Sequence, residues 1–232
     1  MDIKKVLFVT TSHDKLGNTG EKTGVWLEEL ASPYFVFRDA GTEVTIASPL
    51  GGQVPLDPKS QLKEWQTDAT RRFEYDDKAT KALANSIQLS DISADGYDAI
   101  FLPGGHGPMW DLGNNPELSI LIEEFNLQGK LIGAVCHGVV GLIGAETKNG
   151  SPLVNGVHLT SFTNTEESVV GLTEVVPFLL ETELVSLGAV YSKAEDFEPY
   201  TVTHNNIITG QNPASSVVVA EQMLKHQFAT QF

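Results

Sequence analysis

A single cysteine among 232 residues leaves no partner for a disulfide within the chain, which suits a reducing compartment. Positive charge is also scarce. The chain has 15 lysines and arginines against 30 aspartates and glutamates, for a net charge of −15. Such a surface repels polyanions, so nucleic acid and anionic membranes are poor partners. The acidity itself reads as a solubilising coat and says little about a substrate. No apolar run approaches the roughly 18 residues of a membrane span. The apolar stretch after Met1-Asp2-Ile3-Lys4-Lys5 is only about five residues long, too short for the core of a signal peptide. A cytoplasmic protein is therefore expected, with no nucleic-acid or membrane partner. Disorder is a poor explanation for any large part of the chain, because 41% hydrophobic and 19% charged residues are ordinary for a globular chain.

What is present is an alternation of short apolar runs with helix-like segments. Residues 6–10, 43–48, 97–102 and 130–135 read as buried strands, with further strands expected at 157–161, 200–203 and 207–209. A helix is expected over 24–39, where Pro33 should kink or divide it and Gly41 should end it. Another is expected over 116–127, behind an Asn115 cap with proline in its first turn. Further helices are expected from 138, from about 166, over 177–187 and over 213–227. This order predicts an α/β fold, a mostly parallel sheet with helices on both faces. It is read as one domain over 1–232, with a polar insertion at about 49–93 around a short helix near 78–85.

Ligands of such sheets bind beyond the carboxyl ends of the strands, and two segments fall there. Cys136 follows the strand at 130–135 directly and precedes the small residue Gly138, so it sits at a sharp strand-to-helix turn. The start of the next helix should lower its pKa and favour the reactive thiolate. A buried structural cysteine is the plain alternative. His137 has the chemistry of a general base for the thiol, provided a carboxylate from elsewhere orients it. The loop Gly104-Gly105-His106-Gly107 brings backbone N–H groups close to a ligand and suits an oxyanion site, although a tight turn without chemistry looks the same. It is not a phosphate loop, because no Lys-Ser/Thr follows. Four acids are candidates, Glu28, Glu29, Glu166 and Glu167, and periodicity does not choose among them. His13, His158, His204 and His226 show no metal-ligand spacing, so no metal and no cofactor is expected.

Taken together, five segments resemble the ThiJ/PfpI superfamily, most closely its heat-shock branch with glyoxalase III activity. They are Lys22-Thr23-Gly24-Val25-Trp26-Leu27-Glu28-Glu29, Phe101-Leu102-Pro103-Gly104-Gly105-His106-Gly107, Ala134-Val135-Cys136-His137-Gly138, Leu159-Thr160-Ser161-Phe162-Thr163-Asn164 and Thr209-Gly210-Gln211-Asn212-Pro213-Ala214-Ser215. The resemblance implies a flavodoxin-like three-layer sandwich, a fold shared with class I glutamine amidotransferases. It implies Cys136 as nucleophile, His137 as its adjacent histidine and Glu167 as the triad acid, with Glu166 as the neighbouring contender. Glu29 would contact the sulfur, and Gly105 and His106 would supply backbone groups to the oxyanion. The implied activity is glutathione-independent conversion of a 2-oxoaldehyde such as methylglyoxal to lactate. Its alternatives are a deglycase acting on glycated protein, an amidase- or peptidase-type hydrolase, and a stress holdase or cysteine oxidation sensor. Relatives of this kind are commonly homodimers, so a homodimer is expected. The insertion would then act as a lid over the pocket or pack on the second subunit.

Overall fold

In the computed structural model, which describes residues 3–226, the most apolar runs fall on central strands buried on both faces. In chain order the elements are β1 (Lys5–Val9), α1 (Leu27–Asp39), β2 (Glu43–Ser48), α2 (Asp68–Tyr75), α3 (Asp77–Ala84), β3 (Ile87–Gln88), β4 (Ala99–Leu102), α4 (Pro108–Asp111), α5 (Pro116–Leu127), β5 (Leu131–Val135), β6 (His158–Leu159), α6 (Asn164–Val169), α7 (Leu180–Ser186), β7 (Val190–Tyr191), β8 (Thr201–His204), β9 (Ile207–Gly210) and α8 (Ser216–Lys225). Seven strands form one sheet in the order β3-β2-β1-β4-β5-β9-β8. All neighbours are parallel except β8 against β9. β6 and β7 pair separately.

The strand period of two sorts the core into two layers. Val6 and Phe8 of β1 face one side, where they join Leu27, Leu30 and Phe37 of α1 and Val219 and Met223 of α8. Leu7 and Val9 face the other side, with Leu118, Leu121, Ile122 and Phe125 of α5. Helices on both faces of a mostly parallel sheet make the three-layer flavodoxin-like fold, as expected. From β1 the chain runs outward to β2 and β3, then returns across β1 to β4 on its other side. That reversal is the switch point at which open α/β sheets bind ligands.

The insertion extends the sheet and covers α1. β3 adds an edge strand beside β2. Phe73 of α2 is buried against Tyr34 and Phe35, and Arg72 donates to both carboxylate oxygens of Asp39 at 2.7 Å while lying 3.8 Å over the Phe35 ring. No helix of the described residues is long and apolar enough to cross a membrane.

Several boundaries differ from expectation. Pro33 does not divide α1, because both halves of the helix are held down by packing: Leu27, Leu30, Tyr34 and Phe37 are all buried. Residues 24–26 are not helical, since Val25 instead exchanges backbone hydrogen bonds with Pro55 and Asp57. The strand expected at 157–161 shortens to β6. The last helix is preceded by a 3₁₀ turn at Pro213–Ser215, and Gln227 lies outside the described residues.

Candidate active site

β5 is buried at every position and ends at Val135. The next residue, Cys136, has φ +57, a left-handed conformation that costs a non-glycine residue about 1 kcal/mol or more. The turn survives because its neighbours are small. A Cβ on Gly138 would come within 2.2 Å of the Leu102 carbonyl oxygen. Strain at this elbow sets the thiol at the carboxyl edge of the sheet, buried to 3% exposure. The segment after it is a 3₁₀ helix over Cys136–Leu142 rather than the expected α-helix from 138. The expected lowering of the thiol pKa is also reversed. Burial pushes it up, and the nearby Glu29 carboxyl pushes it further, outweighing the His137 N–H that favours the thiolate.

The side chains named from the sequence converge on this thiol. His137 Nδ1 lies 3.4 Å from Cys136 Sγ. His137 Nε2 donates to Glu167 Oε2 at 2.6 Å. Burial drives the His137 pKa down, and the neighbouring His106 adds to this, so the imidazole is neutral and able to accept the thiol proton. Glu167 is in the first turn of α6. Burial works to raise its pKa, but His137, by its charge whenever it is protonated, and hydrogen bonds from His106 and His137 outweigh it and hold the carboxyl well below the usual range.

Glu29 enters from the first turn of α1. It is wholly buried, its Oε2 accepts the Gly104 N–H at 2.8 Å, and its Oε1 has no hydrogen-bond partner. Burial pushes this carboxyl up to about 8, despite opposing contacts from Cys136 and Gly104. At neutral pH it is therefore protonated beside the sulfur. Glu28 points elsewhere and accepts from the Ser32 and Thr67 hydroxyls, both at 2.5 Å.

The Glu29 shift has a consequence for stability. Its pKa is raised in the fold from the ordinary 4.5 to about 8. Below 4.5 the carboxyl is protonated folded and unfolded, and the stability is fully present. Between 4.5 and about 8 only the unfolded chain gives up the proton, so stability falls as pH rises, and the loss is complete above about 8. Glutamine cannot ionise and keeps an acceptor for Gly104. Glu29→Gln should therefore gain stability over the wild type progressively across this window, levelling at about 5 kcal/mol. Melting temperatures of both proteins from pH 4 to 9 check this, and parallel curves would refute it.

The two acids of α6 take different partners. Glu166 is fully buried but faces away from the cysteine. Its Oε2 accepts the Thr163 N–H, and its Oε1 accepts the Phe197 N–H, Gln211 Nε2 and Asn212 Nδ2 at 2.8, 3.1 and 2.9 Å. The N–H groups of Gly105 and His106 have no acceptor among the described residues and are available to an oxyanion. Gly105 has φ +89, and a Cβ there would sit 2.4 Å from the Gly24 carbonyl oxygen, so only glycine fits.

Sequence reasoning did not find the cavity wall. A cavity of about 110 Å³ over Cys136 is lined by Trp26, Trp65, Phe162, Val170, Phe197 and Pro213, besides the polar groups already named. These residues come from five separate segments, and Trp65, in the insertion, lies edge-on to Trp26 at 5.6 Å. Nor did it assign the His106 side chain, whose Nε2 is 2.7 Å from Glu167 Oε1. Among the described residues, His106, His137 and Glu167 form the one group of donor atoms close enough for a metal, within 4.8 Å of one another. Their facing atoms are already engaged in N–H···O bonds with each other, and they are not free to serve as ligands without giving those bonds up. His158 and His204 stack 5.3 Å apart, and the His158 N–H donates to His204 Nδ1 at 3.3 Å.

The same fold occurs in known proteins. The Rapid Encystment Protein 24 kDa of Francisella tularensis superposes with a TM-score of 0.92 at 42% identity, over 96% of this chain and 98% of that one. The crystal structure of glyoxalase III from Candida albicans gives 0.89 at 30% identity, over 95% and 96%. By sequence, the chain is 31% identical to glyoxalase 3 of Candida albicans, over 96% of this chain and 97% of the relative. It is also 31% identical to the glutathione-independent glyoxalase HSP31 of Saccharomyces cerevisiae, over 92% and 93%. The DJ-1/PfpI family model matches residues 22–226, from the loop before Glu29 through the elbow to the end of the last helix. With its cysteine elbow inside that span, the chain belongs to the DJ-1/PfpI family.

Proposed function

We propose that the chain converts small 2-oxoaldehydes such as methylglyoxal to 2-hydroxy acids without glutathione, with Cys136 as nucleophile. The observation that carries this reading is a buried thiol with its own neutral base at 3.4 Å and an uncharged carboxyl beside it, under a small apolar cavity. No lysine or arginine lines that cavity, so the carboxylates of a glutathione adduct would find no counter-charge. The names of the relatives point the same way. Cys136 at 3% exposure favours a free aldehyde over a glycated protein as substrate. The reading extends to a cytoplasmic homodimer whose residues 1–232 act as a single catalytic unit.

The chemistry follows from the placement. The thiol proton passes to His137 Nδ1 as sulfur bonds to the aldehyde carbon C1. The oxygen of C1 takes the carbonyl electrons and lies against the N–H groups of Gly105 and His106. Glu167 orients the resulting imidazolium and balances its charge. In the hemithioacetal, C1 then loses its hydrogen as a proton and C2 gains one, through an enediol. C1 is oxidised by two electrons and C2 is reduced by the same two, so no external oxidant is needed. Water releases lactate from the thioester and restores the thiol.

Purified protein given methylglyoxal, with neither glutathione nor added metal, should form one lactate for each aldehyde lost. Aldehyde loss without lactate would overturn the assignment and favour a deglycase or hydrolase.

A further inference from the structure

Glu167 serves two imidazoles at once. Its Oε2 contacts His137 Nε2 at 2.6 Å, and its Oε1 contacts His106 Nε2 at 2.7 Å. An ionised carboxylate only accepts hydrogen bonds, so each contact requires a proton on Nε2. An imidazole in its neutral form carries one ring proton, so the contact to Glu167 fixes that form of either histidine as the Nε2–H tautomer, with a bare lone pair on Nδ1. On His137 that lone pair faces the Cys136 sulfur. On His106 it has no partner among the described residues. The His106 ring lines the cavity, is 13% exposed and lies 4.2 Å from the His137 ring. Its Nδ1 is the ring nitrogen nearer the main chain, where the residue's own unengaged N–H is also found.

The proposed reaction needs a second base. Once His137 has taken the thiol proton it is an imidazolium and cannot remove a hydrogen from carbon. Glu29 is protonated at neutral pH and can only donate. Among the ionisable groups lining the cavity, Glu29, His106, Cys136 and His137, this leaves His106. We propose, building on the reading above, that the His106 side chain is a catalytic base: its Nδ1 takes the C1 hydrogen of the hemithioacetal and returns a proton to C2. In the first half, the C1–H bond breaks toward Nδ1, a C1=C2 bond forms, and the C2 carbonyl electrons move to oxygen, which takes the Glu29 proton. In the second half, C1=O re-forms from the C1 oxyanion and the C1=C2 electrons take the proton from His106. The result is a thioester on Cys136 with His106 back in its starting state; on hydrolysis the attacking water returns a proton to Glu29, and the His137 imidazolium returns one to the leaving thiolate.

The test compares the wild type with His106→Gln, whose amide keeps an N–H for Glu167 but has no basic nitrogen. Lactate formation from methylglyoxal should fall about 10²- to 10⁴-fold. Alkylation of Cys136 by iodoacetamide should stay within about threefold of the wild type, because the Cys136–His137–Glu167 chain is untouched. Added imidazole should restore part of the activity of His106→Ala, which a merely structural role would not allow. The proposal is overturned if His106→Gln keeps its lactate rate within about threefold, or if alkylation falls in proportion with lactate formation. A wild type that yields no lactate overturns the glyoxalase reading as well, which separates the two failures.

Discussion

Cys136→Ala should lower kcat/KM for methylglyoxal by at least about 10⁴-fold, a loss of about 5.5 kcal/mol of transition-state stabilisation. Nothing else lining the cavity replaces a soft nucleophile. Glu29 is protonated, and without sulfur the bound aldehyde makes no covalent bond through which its hydrogen at C1 becomes acidic. The loss should appear in kcat, because alanine leaves the aromatic walls and the oxyanion N–H groups in place. The fold should not suffer. Alanine adopts φ +57 at the same cost as cysteine, and at neutral pH the thiol and the Glu29 carboxyl it touches are both uncharged, so no buried charge loses its partner. A melting temperature within a few degrees of the wild type, together with the rate loss, separates chemistry from folding. His137→Ala added to Cys136→Ala should then cost little more, because the two act as one unit. A variant that still forms lactate at even a hundredth of the wild-type rate would exclude covalent catalysis at this position.

The sheet was legible in the sequence for a physical reason. Strands buried on both faces read as short continuous apolar runs, and residues 6–10 and 130–135 show them with little ambiguity. The Asn115 cap was legible too, since its side chain accepts the Leu118 N–H as a capping asparagine does. α2 was not, because a helix with only Thr70 and Phe73 buried carries almost no apolar stripe. Pro33 misled because local backbone cost yields to tertiary packing that sequence periodicity does not display. The thiol pKa misled for a related reason: the elbow motif shows position, but burial and the approach of Glu29 are long-range facts. The cavity walls lay furthest out of reach. Phe197 is placed by an N–H donated to a carboxylate 31 positions earlier, and Trp65 by an insertion with no motif. Glu166 and Glu167 illustrate the limit well. Adjacent helical residues point about 100° apart, so one faces the histidines and the other faces the Gln211-Asn212 loop, and composition alone cannot say which.

That geometry makes the two acids experimentally separable. Glu166→Ala should cost about 4 kcal/mol of stability and lower the melting temperature by about 10 °C. Its carboxylate satisfies four donors from three segments, two of them on side chains with no exposure to solvent, Gln211 and Asn212. Removing it leaves the Thr163 and Phe197 N–H groups without their acceptor and leaves the Gln211 and Asn212 amides only their bonds to the Glu195 and Glu198 carbonyls, and it loosens Phe197, which the interaction holds at φ +63. Assayed well below its melting point, the variant should still turn over, with most of the defect in KM, because Phe197 forms a wall of the cavity and makes no bond to the reacting atoms. Glu167→Gln should do the reverse. The amide keeps the shape and one acceptor, so the melting temperature should move by only a few degrees. It no longer holds His137 in the tautomer that presents Nδ1 to sulfur, nor balances the imidazolium, and kcat should fall about 10³- to 10⁴-fold. Thermal melts and steady-state kinetics on both variants decide the matter. A stable, inactive Glu166→Ala beside an active Glu167→Gln would exchange the two roles and, with them, the source of the orientation imposed on His137.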